Sequence, residues 1–188
     1  MKVSVAMITY NHERFIGQAI ECVLAQSVNF DYEIVIGEDC STDGTRAIIQ
    51  DFQRRYPSRI VPLFRQHNIG AMRNYQGTVG SCRGQYLALL EGDDYWTCKD
   101  KLQRQVDFLD AHPDWAICCS RAEVRNENDQ SADHVRAQTG TIFPTCPSAQ
   151  RPNDHDLIGL LPVTPRAAGT YGLRDLLLEN FIPTCTVM

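Results

Sequence analysis

Three acidic side chains follow a short apolar run in the segment "LALLEGDDYW" at residues 87–96. The carboxylates of Glu91, Asp93 and Asp94 repel one another, and burying them without partners is unfavourable. A divalent cation relieves both problems, because carboxylate oxygens are ligands that Mg²⁺ and Mn²⁺ prefer. The spacing therefore indicates a cation that bridges a diphosphate and stabilises negative charge on a departing phosphate. The alternative is a solvated turn that caps the next helix, since Asp and Gly are common in turns.

Short β-rich apolar runs alternate with segments of helical spacing over the first 120 residues. This alternation predicts an α/β fold with a largely parallel sheet. The predicted strands are 3–9, 34–36, 60–64, 86–90 and 115–120, and the predicted helices are 15–25, 48–56, 71–82 and 102–109. Ligands of open α/β sheets collect beyond the carboxyl ends of the strands, which is where this order places Asp39 and Asp94.

The alternation breaks down between Arg121 and about Gly169, where the sequence is polar and contains several prolines. This stretch is too long for an ordinary connection, so we expect either an excursion over the active face or partial disorder. Helical spacing returns at Leu173, Leu176 and Leu177, and the last residues, "IPTCTVM", are typical of the start of another strand.

The composition favours one compact domain without a nucleic-acid partner. A chain of 188 residues with 43% hydrophobic content can bury one sizeable core. Its formal net charge is −5 and no segment concentrates Lys and Arg, whereas proteins that bind a duplex carry a basic surface.

The cysteines and the apolar runs predict a reducing cytoplasm. No apolar run approaches the ~20 residues needed to span a bilayer, and the amino-terminal stretch is too short for a secretion signal. The eight cysteines form no Cys-x-x-Cys pair, so we interpret most of them as free thiols. They are Cys22, Cys40, Cys82, Cys98, Cys118, Cys119, Cys146 and Cys185.

Four stretches, in this order, resemble the amino-terminal part of a family-2 glycosyltransferase with the GT-A fold. They are "VSVAMITYNHERFIGQAIECVLAQS", "YEIVIGEDCSTDGT", "HNIGAMRNYQGTVGSCRGQYLALLEGDDYW" and "KLQRQVDFLDAHPDWAICC". The resemblance implies a Rossmann-like three-layer α/β/α sandwich with a mostly parallel central sheet. Residues 1–120 would form the nucleotide-sugar-binding core, and 121–188 would begin an acceptor-side region that is truncated here.

The resemblance also assigns roles to the acidic turn. Asp94 would hold Mn²⁺ or Mg²⁺ on the diphosphate of the sugar donor, and Asp93 would contact the ribose or the metal shell. Glu91 stands where the family more often has Asp, so it would act either as a ligand or as a partner of one.

By the same resemblance, Asp39 would accept a hydrogen bond from the imide N–H of uracil, which favours a uridine donor. The alternative for Asp39 is a cap on the turn at Ser41–Thr45, although Asp43 is the better candidate for that cap. Glu38 would help to shape the pocket for the base.

The loop after the first strand would flank the base through Thr9, Tyr10 and Asn11. For Asn11 we favour instead a cap of the first helix, and Glu13 is a further base-pocket candidate. Arg73 matches a basic position near the donor phosphates, with a solvated helix charge as the alternative. Trp96 and Tyr95 are assigned only packing roles, and none of the five histidines, His12 among them, has the spacing of a metal ligand.

The reaction implied by the resemblance is transfer of a sugar from a UDP-sugar to the hydroxyl of a carbohydrate or lipid-linked acceptor, with inversion. The expected setting is cell-surface polysaccharide or glycan synthesis, in the cytoplasm or at the inner face of the membrane. Sequence beyond this chain would carry the catalytic base and any peripheral membrane association. The acids nearest the end fit solvated positions better than a base; they are Asp154, Asp156, Asp175 and Glu179.

Other classes of protein fit less well. A sugar-nucleotide pyrophosphorylase would open with a glycine-rich phosphate loop where this chain has "TYNHE", and a dehydrogenase would carry Gly-x-Gly-x-x-Gly after a strand. A non-catalytic nucleotide-binding fragment or module of the same fold remains the alternative to an enzyme.

Overall fold

The computed structural model describes residues 1–113 and 115–120, together with three short strands later in the chain. Four helices and eight strands follow one another in these residues. They are β1 (Val3–Thr9), α1 (Ile16–Leu24), β2 (Tyr32–Glu38), α2 (Thr45–Arg55), β3 (Ile60–Phe64), α3 (Ala71–Val79), β4 (Tyr86–Glu91), α4 (Lys101–Ala111), β5 (Trp115–Ser120), β6 (Glu123–Val124), β7 (Val135–Arg136) and β8 (Leu157–Pro162).

The central sheet is parallel and has the strand order β3-β2-β1-β4. The chain moves outward from β1 through β2 to β3 and then crosses back to pair β4 with the other side of β1. Because parallel crossovers are right-handed, this reversal places α3 on the face opposite α1 and α2. The predicted three-layer α/β/α sandwich is confirmed, and the strand order creates a switch point at the carboxyl ends of β1 and β4.

The main core lies between one face of the sheet and the helices α1, α2 and α4. Alternate strand residues point into it, as the two-residue period of a strand requires. Each fully buried aliphatic side chain contributes about 1.5–3 kcal/mol to folding. The largest of them are Met7, Ile16, Ile20, Ile34, Ile36, Ile49, Ile60, Leu90 and Leu102.

On the opposite face, α3 approaches the sheet at a glycine. A Cβ on Gly37 would lie 2.0 Å from Thr78 Oγ1 and 2.6 Å from Asn74 Oδ1, so only glycine fits there. Asn74 Nδ2 donates a hydrogen bond of 2.7 Å to the Gly37 carbonyl, and both helix side chains are buried. This contact sets the position of α3, whose amino end lies at the carboxyl edge of the sheet.

Later in the chain, the strands depart from the sequence prediction. The predicted strand at 115–120 exists, but it pairs antiparallel with β8 and is not part of the four-stranded sheet. We predicted no strands between 121 and 169, whereas β6 pairs with β7 and β8 covers the run "LIGLLP". Short apolar runs within polar, Pro-containing sequence give too weak a period to be detected. The predicted helix at Leu173–Leu177, the final strand and the four acids after residue 150 lie outside the described residues.

Within the described part of the chain, no helix is both long and apolar enough to cross a bilayer. Five cysteines in this part are free thiols, in agreement with the interpretation from the sequence. They are Cys22, Cys40, Cys82, Cys98 and Cys118.

The amino edge of the sheet contains a buried carboxylate, Glu33, which is 1% exposed. It accepts a hydrogen bond of 2.7 Å from Ser4 Oγ and forms an ion pair with Arg83, whose backbone N–H also donates to it. Burial of this carboxyl raises its pKa, but the hydrogen bonds from Arg83 and Ser4 outweigh burial and lower the pKa below its ordinary value of 4.5.

The depressed pKa of Glu33 predicts acid sensitivity. The stabilisation is fully present above the ordinary value of 4.5 and is lost as the pH falls through the lower pKa of the folded state. We expect Glu33→Gln to reduce the free energy of unfolding by about 1–2 kcal/mol at neutral pH, since the exposed end of Arg83 is screened by water. Urea unfolding at several pH values should show this difference shrinking below about pH 4. A difference that is independent of pH would contradict the assignment.

Candidate active site

The acidic turn continues directly from β4 beside the end of β1. The Gly92 N–H donates to the Ile8 carbonyl at 2.9 Å, and the Asp94 N–H donates to the Glu91 carbonyl at 3.2 Å. Asp93 is exposed and Asp94 is half-buried. Because α4 begins only at Lys101, the alternative of a turn that caps the next helix is wrong.

Gly92 is held against β1 so closely that no side chain fits. A Cβ there would lie 2.7 Å from both Cβ and Oγ1 of Thr9 and 3.0 Å from Nδ1 of His12. Thr9 Oγ1 and His12 Nδ1 are themselves buried without a hydrogen-bond partner. The turn that carries Asp93 and Asp94 is therefore fitted to the end of β1.

Glu91 faces a different layer from the two aspartates. It lines a small cavity with Ala6, Ile8 and Tyr75, on the side of the sheet covered by α3. Burial raises the pKa of Tyr75 to about 12, and the nearby Cys82 and Glu91 add to this effect. Of the two roles considered for Glu91, a partner on the α3 side fits this position better than a metal ligand next to Asp93.

Asp39 lies on the other side of β1, 2% exposed, with its N–H bonded to the Thr9 carbonyl at 3.1 Å. Its carboxylate accepts the backbone N–H groups of Ile69 at 2.8 Å and Gly70 at 3.0 Å. Asp39 therefore fixes the entry to α3, and the alternative in which it caps the turn at Ser41–Thr45 is wrong. Each of its oxygens keeps a second lone pair for a ligand.

The capping of that turn belongs to Asp43, as predicted. Its Oδ1 accepts the N–H of Thr45, the first residue of α2, at 3.0 Å. Hydrogen bonds to Thr45, and to Glu13 in the other loop, outweigh the effect of burial and lower the pKa of Asp43. Glu38, which we expected to shape the base pocket, is fully buried and accepts 2.5 Å contacts from the Ser41 N–H and from Arg46.

Asn11 and Glu13 join the loop after β1 to the loop after β2. Asn11 Oδ1 accepts the Thr42 N–H at 2.8 Å, and its own N–H donates to Ser41 Oγ at 3.0 Å. Glu13 Oε2 accepts the Gly44 N–H at 2.6 Å while the Glu13 N–H donates to Asp43 at 3.1 Å. The interpretation of Asn11 as a cap of the first helix is wrong, because α1 begins at Ile16 and Asn11 adopts a left-handed φ of 55°.

The remaining predicted residues lie at or near the same edge. Thr9 ends β1 and is 3% exposed, whereas Tyr10 is 42% exposed and can meet a ligand. Arg73 is exposed in the first turn of α3, close in sequence to the Gly70 N–H that Asp39 holds. Trp96 is 7% exposed in the core and its N–H donates to Cys22 Sγ at 3.1 Å, which confirms its packing role.

The two acidic positions lie two strands apart, at either side of β1. Residue Thr9 pairs with Glu38 on β2, and Ile8 pairs with Glu91 on β4. Neighbouring strands are 4.7–4.9 Å apart, so the backbones of Asp39 and Asp93 are separated by about 10 Å. A nucleoside diphosphate can bridge this separation, with the base at one position and the phosphates at the other.

The residues at the acidic turn fit a hard divalent cation that is shared with a substrate. Among the described residues, no three His, Cys, Asp or Glu side chains cluster so that they could hold an ion alone. Mg²⁺ and similar ions are commonly bound by one or two carboxylates together with substrate phosphates. Asp93 and Asp94 supply such a donor set next to open solvent.

The sequence model of Glycosyl transferase family 2 matches residues 4–168. The chain belongs to this family. An uncharacterised protein of Mycobacterium tuberculosis H37Rv, Rv1520, is 44% identical to this family-2 chain over 126 residues, which are 67% of this chain and 36% of that protein.

Solved structures agree with the family assignment. Staphylococcus aureus TarS 1-349, in complex with UDP-GlcNAc, shares 26% identity at a TM-score of 0.53, covering 62% of this chain and 33% of its own. The mannosyltransferase PcManGT of Pyrobaculum calidifontis, in complex with GDP-Man and Mn²⁺, shares the fold at a TM-score of 0.58 and 22% identity, covering 68% and 36%. This family-2 chain spans about a third of the length of these proteins.

Sequence reasoning missed two features of this glycosyltransferase site. His12 lies beside the acidic turn, with Nε2 3.8 Å from Asp93 Oδ2. Gly92 is required by the close approach of the turn to Thr9. A glycine placed between acidic residues after a strand was the one available signal, because it indicates a close backbone contact.

Proposed function

We propose that the protein transfers a sugar from a UDP-sugar to an acceptor hydroxyl, in a metal-dependent reaction with inversion at the anomeric carbon. The observation that carries this proposal is the pair of acidic positions, Asp39 and Asp93–Asp94, on either side of the end of β1. The separation of about two strand spacings suits a base at one position and a diphosphate at the other.

In this proposal the chain's own residues bind and orient the donor. Asp39 accepts the uracil imide N–H through a remaining lone pair, and the exposed ring of Tyr10 packs against the base. Asp93 and Asp94 hold the cation, which supplies Lewis-acid stabilisation of the leaving diphosphate. Arg73 adds a guanidinium suited to phosphate oxygens.

The loop after β1 pre-organises this site and does not itself read the donor through Asn11 or Glu13. Both side chains are already engaged with the loop after β2. Their contribution is to hold Thr9 and Tyr10 in place, which lowers the ordering cost of binding.

The acceptor is proposed to be a carbohydrate or a lipid-linked glycan, in the synthesis of a cell-surface polymer at the cytoplasmic side of the membrane. Support comes from TarS, a relative 26% identical over 113 residues that is named as a poly(ribitol-phosphate) N-acetylglucosaminyltransferase. The catalytic base is proposed to lie beyond Met188.

Calorimetric titration with UDP and GDP, with and without Mn²⁺, tests this proposal. We expect UDP to bind in the presence of Mn²⁺ and GDP to bind about tenfold or more weakly, because the hydrogen bond to the uracil imide is missing. Tighter binding of GDP or CDP would contradict the role of Asp39, and binding unaffected by Mn²⁺ would contradict the metal site. Release of UDP from UDP-sugars separates an enzyme from a module that only binds nucleotide.

A further inference from the structure

We propose that His12 is a positioning residue, which holds the Asp93 carboxylate by donating a hydrogen bond from Nε2–H. This inference rests on the proposed function in so far as Asp93 serves the donor site. Neither the motif nor the spacing of His12 pointed to it; its position beside the turn does.

The backbone of His12 is fixed on both sides. Its N–H donates to Thr45 Oγ1 at 2.8 Å, which ties it to the start of α2. Its carbonyl accepts the N–H groups of Phe15 at 3.0 Å and Ile16 at 2.9 Å, just where α1 begins. The imidazole therefore projects from a rigid segment, as a side chain that positions another must do.

The surroundings of Nδ1 determine which ring nitrogen carries the hydrogen. Nδ1 is buried without a hydrogen-bond partner and faces Gly92. A hydrogen on Nδ1 would be a buried donor with no acceptor, which is unfavourable, whereas a lone pair there can face the Gly92 Cα–H. The neutral ring consequently carries its hydrogen on Nε2, the nitrogen on the Asp93 side.

Nε2 lies 3.8 Å from Asp93 Oδ2, slightly beyond the length of a direct hydrogen bond. The Asp93 side chain is 46% exposed, so a small rotation about its own bonds closes the gap without moving the turn. A carboxylate held in this way loses less freedom when it meets a ligand. Partners of this kind typically change metal affinity by 10–100-fold when they are removed.

The simplest alternative is that the ring only fills space beneath Gly92. Two isosteric amides separate these possibilities. Gln places an amide nitrogen near the position of Nε2, and Asn places one near Nδ1, so only Gln can replace the donor to Asp93.

The first measurement needs no ligand. Long-range ¹H–¹⁵N correlation of the histidine rings, at about pH 8 where the rings are neutral, should show His12 as the Nε2–H tautomer. Asp93→Ala should shift the His12 Nε2 signal and leave that of the exposed His67 unchanged. An Nδ1–H tautomer, or a signal insensitive to Asp93→Ala, would overturn the inference.

The second measurement is the affinity for Mn²⁺ in the presence of UDP, read from the electron paramagnetic resonance of the free ion. We expect His12→Ala and His12→Asn to weaken binding about tenfold or more and His12→Gln to stay within about threefold of the wild type. His67→Ala is the matched control. Equal affinities, or a Gln variant as weak as the Asn variant, would overturn the role. A wild-type protein that binds no Mn²⁺ and UDP would contradict the proposed function, while the ring measurement still decides the state of His12.

Discussion

Asp94→Asn is expected to lower the rate of sugar transfer by about 100-fold or more. The substitution keeps the shape of the side chain but removes the negative charge that a divalent cation requires. Without a firmly held ion, charge that develops on the leaving diphosphate is left to Arg73 and solvent. UDP binding should correspondingly lose most of its dependence on Mn²⁺.

Asp100→Asn is the matched control for this change. Asp100 is an exposed acid in the same connection, and it precedes α4 without a side-chain capping bond. Asn serves as well as Asp at such a position, so neither stability nor UDP binding should change. Steady-state rates with a panel of UDP-sugars, together with calorimetry of UDP and Mn²⁺, measure both variants. Equal activity of Asp94→Asn and the wild type would remove Asp94 from the metal site.

Gly92→Ala is expected to abolish binding of UDP with Mn²⁺ and to lower the free energy of unfolding by about 1–3 kcal/mol. The new methyl group would lie 2.7 Å from Thr9 Cβ, an atom of a buried side chain that cannot swing away. Relief of this contact has to move the turn, and with it the carboxylates of Asp93 and Asp94.

Gly17→Ala provides the opposite expectation for the same substitution. A Cβ on Gly17 would meet nothing within 4 Å, and the residue lies inside α1. Ala should therefore stabilise the protein by about 0.5–1 kcal/mol and leave binding unchanged. Denaturant unfolding and calorimetry with UDP and Mn²⁺ measure both variants, and a Gly92→Ala protein that binds as the wild type does would show that the turn is not fitted to Thr9.

The order of elements through β4 and α4 followed from local signals. Each strand contributes a continuous apolar run because it is buried on both faces of the sheet, and each helix shows one apolar stripe. The pairing of β5 could not be predicted in this way. A run of six residues specifies a strand but not its partner, and the partner β8 lies some 40 residues later within Pro-containing sequence.

The site was predictable in its location and less so in its contacts. The positions of Asp39, Asp93 and Asp94 after parallel strands were sufficient to place them at one edge of the sheet. The partners of Asn11, Glu13 and Asp39 are other loops distant in sequence, so short-range rules for capping chose the wrong ones. His12 was missed for the same reason, since it meets Asp93 only through the pairing of β1 with β4.

A crystal structure of the protein with UDP and Mn²⁺ tests the central claim most directly. The account predicts the ion within about 2.2 Å of a carboxylate oxygen of Asp94, the diphosphate beside the turn at Gly92 and the uracil imide against Asp39. A nucleotide bound away from the carboxyl edge of β1, or an ion held without either Asp93 or Asp94, would contradict it.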